Sequence, residues 1–214
     1  TLCLYREGDG DCLSDTLPMK RDVQGTWTIR VDGDLRHVYY TYRLERSGKT
    51  VESQDPYSVA VGVNGQRSMV LDLKETDPEN FKEDHGPVFS NRTDLVICEI
   101  SVLDSTADGS SRVKYPGKYL GLAEKGTKNK EGEATGLDYL KSLGITHVQI
   151  MPMYDFASID EAAPKKREYN WGYDPLNYNV PEGSFSTDPF HGEVRIREMK
   201  EMIAAFHREG IGVI

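Results

Sequence analysis

The sequence predicts a β-sandwich followed by an α/β segment with a parallel sheet, within 214 residues. Three observations carry this. Up to Leu73, short alternating apolar runs are separated by Gly, Asp, Asn and Pro turns at roughly ten-residue spacing, the texture of a sandwich. After a polar stretch, near-continuous β-branched runs alternate with helical patterns, as in βαβ units. Between the second such run and the next helix lies a long segment, Tyr169 to Pro189, rich in aromatics, Gly, Pro and Asn. It shows neither helical nor strand period, and ordered loops longer than ~12–15 residues are usually functional. These textures divide the chain into residues 1–88 and 89–214.

The first domain is strand and turn throughout. Leu2 to Arg6 alternates and stops at the turn cluster Glu7-Gly-Asp-Gly-Asp11. Thr26 to Val31 alternates with Trp27, Ile29 and Val31 on one face, and Asp32-Gly33-Asp34 is a hairpin signal. His37 to Leu44 returns with Val38, Tyr40, Tyr42 and Leu44 toward one side. Turns are expected at Ser47-Gly48-Lys49, Asp55-Pro56 and Asn64-Gly65, and Ser68 to Leu73 is a further strand. The first strand of the sandwich is expected to lie outside this sequence. Trp27, Tyr39, Tyr40 and Tyr42 are candidates for a flat stacking platform, but such residues more often serve as core and cross-strand pairs. Glu75 to Arg92 is polar, without period, and reads as a linker.

Asp94 to Leu103 is a β-branched run expected to be covered on both faces. Tyr115-Pro-Gly-Lys118 is a turn, and Leu137, Leu140 and Leu143 mark a helix over 133–143 that Gly144 ends. Ile145 to Met153 is a second buried strand. Beyond the long loop, Val194, Ile196, Met199, Ile203 and Phe206 mark a helix over 193–209 closed by Gly210, and Ile211 to Ile214 begins a third strand. This order fits an open doubly wound sheet or a (β/α)8 barrel. In a barrel, the loop at Tyr169 would lie on the functional face, at the C-terminal ends of the strands. No glycine-rich phosphate loop follows a strand, which removes the usual nucleotide reading.

Composition excludes other classes. The net charge is −9 with no basic stripe, so nucleic acid is not an expected partner. No apolar run approaches the ~18 residues of a membrane helix. Thr1-Leu-Cys-Leu-Tyr-Arg6 reads as a strand already under way and not as a signal peptide, which leaves any export signal upstream. Cys3, Cys12 and Cys98 have no metal-ligand spacing. Cys98 is expected to be a buried thiol, and Cys3 and Cys12 flank a turn without forming a disulfide framework. Asp155, Asp160 and Glu161 would suit calcium by ligand type, but their spacing matches no calcium loop, so a solvated loop is expected. No cofactor is required. His147 opens an apolar strand and reads as a packed histidine, and Asn91-Arg-Thr93 is a glycosylation-type triplet.

Tyr-Asn-Trp-Gly-Tyr-Asp-Pro at 169–175, continuing through Leu-Asn-Tyr-Asn-Val-Pro-Glu-Gly-Ser-Phe-Ser-Thr-Asp-Pro to Pro189, resembles the signature of type I pullulanases in the α-amylase superfamily. His147 to Phe156 and Asp94 to Leu103 are similar to that family's second and first barrel strands, and the sandwich resembles the glucan-binding module that precedes its barrel. The resemblance implies a carbohydrate-binding-like β-sandwich followed by roughly the first third of a (β/α)8 TIM barrel, of the ~250 residues such a barrel needs. It implies hydrolysis of α-1,6-glucosidic branch points in pullulan, starch or glycogen by a retaining mechanism, with isoamylase or glycogen-debranching activity as the alternative. A non-catalytic glucan-binding protein built from the same parts is the alternative of another class.

No residue here matches the family's nucleophile, acid/base or third aspartate. These catalytic groups are expected beyond Ile214, so the fragment alone is expected to be inactive and, with an open sheet, aggregation-prone. Tyr173 matches the family's tyrosine that stacks on the sugar ring to be cleaved. Asp174 either bonds a sugar hydroxyl or holds the loop. Trp171 is expected to pack the loop, and Gly172 to permit its tight turn. The implied partners are an α-glucan polysaccharide and the remainder of the barrel, with neither nucleic acid nor membrane. The compartment is left open, a bacterial cytoplasm being favoured over secretion.

Overall fold

The computed structural model describes residues 1–163 and 168–214. The N-terminal region is built on the antiparallel strands β1 (Leu2–Tyr5), β2 (Leu13–Leu17), β5 (Tyr39–Arg46), β6 (Lys49–Ser53) and β7 (Ser68–Met69), in the order β2-β1-β5-β6 with β7 also on β5. A separate two-stranded ribbon joins β3 (Lys20–Arg21) to β4 (Trp27–Thr28). The region is sheet-rich and consistent with a β-sandwich.

The turns at Glu7–Asp11 and Ser47-Gly48 fall where the sequence puts them. Ser47 and Gly48 both have positive φ, 52° and 73°, the requirement of a tight two-residue hairpin. The strand expected over Thr26 to Val31 shrinks to Trp27–Thr28, which pairs with β3 and not across Asp32-Gly33-Asp34. The alternation was present, but its residues stay outside: Trp27 is exposed and Ile29 only half-buried.

The buried face of β5 is also the opposite of the one its apolar pattern suggests. Tyr39 and Thr41 point inward, whereas Tyr40 and Tyr42 are half-buried and Leu44 is exposed. The reason lies outside the sheet. Cys3, Tyr5, Tyr39, Ala60 and Met69 form one core with Ile196, which belongs to a helix of the second region. The Tyr39 hydroxyl donates to the Phe190 carbonyl at 3.2 Å. Tyr40 and Tyr42 instead turn their hydroxyls to Asp55, at 2.9 and 3.4 Å. The four candidate platform aromatics therefore do not share a face.

The second region contains β8 (Ile97–Ile100), α1 (Tyr119–Ala123), α2 (Gly136–Ser142), β9 (His147–Ile150), β10 (Tyr154–Phe156), β11 (Pro175–Pro181), α3 (Gly192–Arg208) and β12 (Gly212–Val213). Three of these strands form a parallel sheet in the order β12-β9-β8. Its core collects Ile100, Val148, Ile150, Leu137, Leu140, Met202, Phe206 and Ile211. Leu137 and Leu140 are buried as their spacing requires, but Leu143 is exposed, because α2 ends at Ser142. The first strand is not covered on both faces at its start, since Val96 and Ile97 are exposed. Cys98 is half-buried, and the three cysteines are free thiols. His147 is packed, its ring 5.3 Å from that of Phe89.

The polar stretch between the regions is strapped onto α3. Lys200 Nζ contacts Asp77 at 2.6 Å and the Thr76 hydroxyl at 2.8 Å, and His207 Nδ1 lies 2.8 Å from Asp84. Sequence period cannot reveal such a strap, because its contacts are long-range and polar. No described helix is long and apolar enough to cross a membrane.

Candidate functional site

The segment between β9 and α3 is not one long loop. Pro175 to Pro181 forms β11 and pairs antiparallel with β10, placing Asp155 opposite Asn177 and Phe156 opposite Pro175. The register shifts at both steps along β10, so two prolines and two asparagines fit in an irregular hairpin whose alternation is broken. That break hides the strand from a period-based reading.

The hairpin carries the aromatic loop at its mouth. Tyr169, Trp171 and Tyr173 are 65%, 61% and 58% exposed. Trp171 meets Tyr173 edge-on, with ring centroids 5.1 Å apart, so Trp171 does pack within the loop while presenting surface of its own. Gly172 has φ of 91°, and a Cβ there would lie 1.9 Å from the Pro152 carbonyl oxygen. No other residue type fits that crossing without displacing the backbone.

Asn170 organises the turn. Its Oδ1 accepts the Gly172 N–H at 2.7 Å, and its Nδ2 donates to Asp174 Oδ1 at 2.8 Å and to the Ser158 hydroxyl at 2.5 Å. The Asp174 side chain thus engages the loop. Hydrogen bonding from Ser158 and then from Asn170 holds its carboxyl below the usual range. A concavity of about 320 Å³ is lined by Ser158, Tyr169, Asn170, Trp171 and Asp174. A second, of about 330 Å³, includes Leu103, Lys118, Phe156 and Phe190. Leu103 follows β8 and Ser158 to Asp174 follow β9, so both hollows draw on the segments that leave the C-terminal ends of parallel strands.

Beneath the loop sits a cluster that sequence reasoning missed. Asp155 and Glu161 are 1% and 3% exposed, so the solvated loop expected for them is not found; only Asp160 is exposed. They are buried by Arg195, which is fully enclosed on α3. Its Nη1 lies 2.9 Å from Asp155 Oδ1, and its Nη2 lies 2.8 Å from Glu161 Oε2. Glu182 joins them, accepting the Phe156 and Ser184 N–H groups at 3.0 and 2.7 Å.

The cluster also ties the two regions together. Asn64 and Glu161 exchange two hydrogen bonds of 2.7 Å, and Asn177 Nδ2 donates to the Gly65 carbonyl at 3.1 Å. Gly183 makes room for the guanidinium, since a Cβ there would lie 2.3 Å from Nη2.

Three carboxylates face one guanidinium, and burial raises the cost of every charge. Burial pushes the Asp155 carboxyl up to about 6, against the pull of Arg195. Burial and then the charge of Glu161 push Glu182 up to about 8. Burial works against the Arg195 charge, but Glu161 and Asp155 outweigh it and keep the guanidinium protonated. The carboxylate oxygens of Asp155, Glu161 and Glu182 approach within 4.8 Å of one another, close enough in principle for a metal ion. Arg195 already stands among them as the cation, and the backbone N–H groups occupy Glu182. One cue was available in the sequence: Arg195 and Glu198 lie on the same helical face as Met202 and Phe206, and all four are buried.

Comparison with known proteins follows the same outline. No protein-family profile matches the chain. Over 93% of its length it is 37% identical to the pullulanase of Bacillus subtilis, of which it spans 27%. Among solved structures, the pullulanase of Paenibacillus barengoltzii in complex with maltohexaose and alpha-cyclodextrin is 47% identical with a TM-score of 0.96, over 99% of this chain and 33% of that one. The pullulanase of Bacillus acidopullulyticus is 45% identical with a TM-score of 0.92, over 99% and 26% of the two chains. The chain thus spans about a quarter to a third of the proteins it resembles.

Proposed function

We propose, from a chain related to pullulanases along its whole length, that it is the glucan-contacting front portion of a debranching glycoside hydrolase. The parent protein would cleave α-1,6-glucosidic links in pullulan, starch or glycogen. Residues 1–88 form the sandwich module. Residues 89–214 form the opening of a (β/α)8 barrel, a reading supported by the parallel β8-β9-β12 sheet with α1, α2 and α3 in its crossovers.

The observation that carries the activity is the exposed aromatic turn at 169–174, held rigid at the mouth of the β10–β11 hairpin. Tyr173 offers a flat face to the C–H groups of a pyranose while the sugar hydroxyls bond elsewhere. Trp171 supports that ring edge-on. Asp174 serves the loop first, because its carboxylate already bonds Asn170. A sugar hydroxyl would have to share the carboxylate with Asn170 and Ser158.

The chemistry is that of a retaining glycosidase, in which one carboxylate attacks the anomeric carbon and another gives and then takes a proton. No carboxylate of this chain takes either part. Asp155, Glu161 and Glu182 are sealed beneath the loop by Arg195 and serve as a structural lock, with the guanidinium in place of a calcium ion. The sugar-binding wall is supplied here and the reacting carboxylates by the rest of the protein.

The test is Tyr173→Ala in the full-length protein. Turnover on pullulan should fall about 10- to 100-fold, the loss expected when a substrate-positioning contact is removed, with the melting temperature unchanged. Wild-type turnover would refute the stacking role. A protein that cleaves glycogen but not pullulan would be the isoamylase-like alternative, and one that binds glucan without releasing reducing ends would be a binding module.

A further inference from the structure

We infer that Asn170 is the positioning residue of the sugar platform: it clamps the chain on both sides of Tyr173 and so sets where that ring stands. The inference rests on the reading of Tyr173 as the stacking surface, and it concerns how that surface is held.

The geometry is specific. Asn170 Oδ1 accepts the Gly172 N–H at 2.7 Å, on one side of Tyr173, and its Nδ2 donates to Asp174 Oδ1 at 2.8 Å, on the other. The partners fix which end of the amide is which, since an N–H can only donate and an ionised carboxylate can only accept. The same Nδ2 reaches the Ser158 hydroxyl at 2.5 Å, which anchors the arch to the segment just after β10. The Asp174 carbonyl accepts the Ala157 N–H at 3.4 Å and adds a second tie to that segment.

Among the described residues the Tyr173 side chain has no such tether; it is 58% exposed, and its ring meets the edge of Trp171. The backbone under it is therefore held through its two neighbours, and the Asn170 amide bonds both of them. Gly172 crosses the Pro152 carbonyl at a φ of 91°, a conformation that a loosened loop would readily leave. Asn170 is suited to the position because its short amide carries an acceptor and a donor on the two atoms bonded to Cγ. Alanine offers neither, and aspartate keeps the acceptor but sets a second carboxylate against Asp174.

The experiment is a double-mutant cycle in the full-length protein on pullulan, with Asn170→Ala, Tyr173→Ala and the pair, and with Asn170→Asp as an independent variant. Asn170→Ala should lower kcat about 10- to 100-fold with a smaller change in KM, because misplacement is felt at the transition state. The pair should be no slower than Tyr173→Ala alone, because the clamp acts only through that ring. Asn170→Asp should be impaired at neutral pH and should recover, relative to wild type, as pH falls and a proton is shared between the carboxyls at 170 and 174. Trp171 fluorescence should shift in both Asn170 variants.

Wild-type kcat in Asn170→Ala, or losses that multiply in the pair, would overturn the positioning role even with Tyr173 essential. Wild-type turnover in Tyr173→Ala alone would instead overturn the stacking reading beneath it. A fall in melting temperature without the kinetic coupling would mark Asn170 as a structural residue only.

Discussion

The aromatic loop and the charge cluster lie close together along the chain, yet they are built on opposite principles. The loop at 169–174 is contiguous, exposed, and braced by the Asn170 amide, which bonds both Gly172 and Asp174. The cluster of Asp155, Glu161, Glu182 and Arg195 is scattered over 40 positions and almost wholly enclosed. The loop presents its aromatic groups to solvent, and the cluster has almost no surface to present. What the pair teaches is that acidic residues near an exposed aromatic loop are not catalytic by proximity. A carboxylate that is buried, paired and capped by backbone N–H groups is fixed in place and closed to substrate.

The largest effect should come from the cluster. Arg195→Met leaves carboxylates buried without a counter-charge, and breaking a buried pair in this way costs about 3–5 kcal/mol. Chemical denaturation of the full-length protein would show it as a lower midpoint, and the sheet-rich N-terminal region and the second region should loosen together, because Glu161 and Asn177 bridge them. An unchanged midpoint would mean the cluster is not the lock between the regions.

Gly172→Ala comes next. A non-glycine residue forced into a positive φ costs on the order of 1–3 kcal/mol, and here the new Cβ also meets the Pro152 carbonyl. The loop should yield before the fold does, so turnover should fall more than stability. Equal turnover would show that the platform tolerates a shifted backbone.

The cluster also predicts a pH slope. Glu182 holds its proton up to about 8 in the folded protein, whereas an unfolded glutamate releases it near ~4.3. Between those values the unfolded state is the one that ionises, so stability declines as pH rises and levels off above the folded value. Thermal melts of the full-length protein from pH 5 to pH 9, compared with Glu182→Gln, would check this. The variant should lose that slope, at the cost of one of the two backbone N–H bonds that Glu182 accepts. A wild-type melting temperature that rose across this range would contradict it.

Much of this was legible in the sequence, for reasons that are local. Leu137 and Leu140 declare their helix by spacing alone, and Ser47-Gly48 its turn by the need for positive φ. The loop declared itself through Trp171-Gly172-Tyr173-Asp174, because residues that must stand out of a turn together are written together. Tertiary structure decided what no window of sequence contains. It turned Tyr39 inward instead of Tyr40, because Ile196 supplies the opposite wall of that core. It made a strand of Pro175–Pro181, because β10 offers the missing partner. It buried Asp155 and Glu161, because Arg195, 34 residues beyond Glu161, brings the charge that lets them leave water. Burial is a property of what surrounds a residue, and those surroundings are assembled only when distant segments meet.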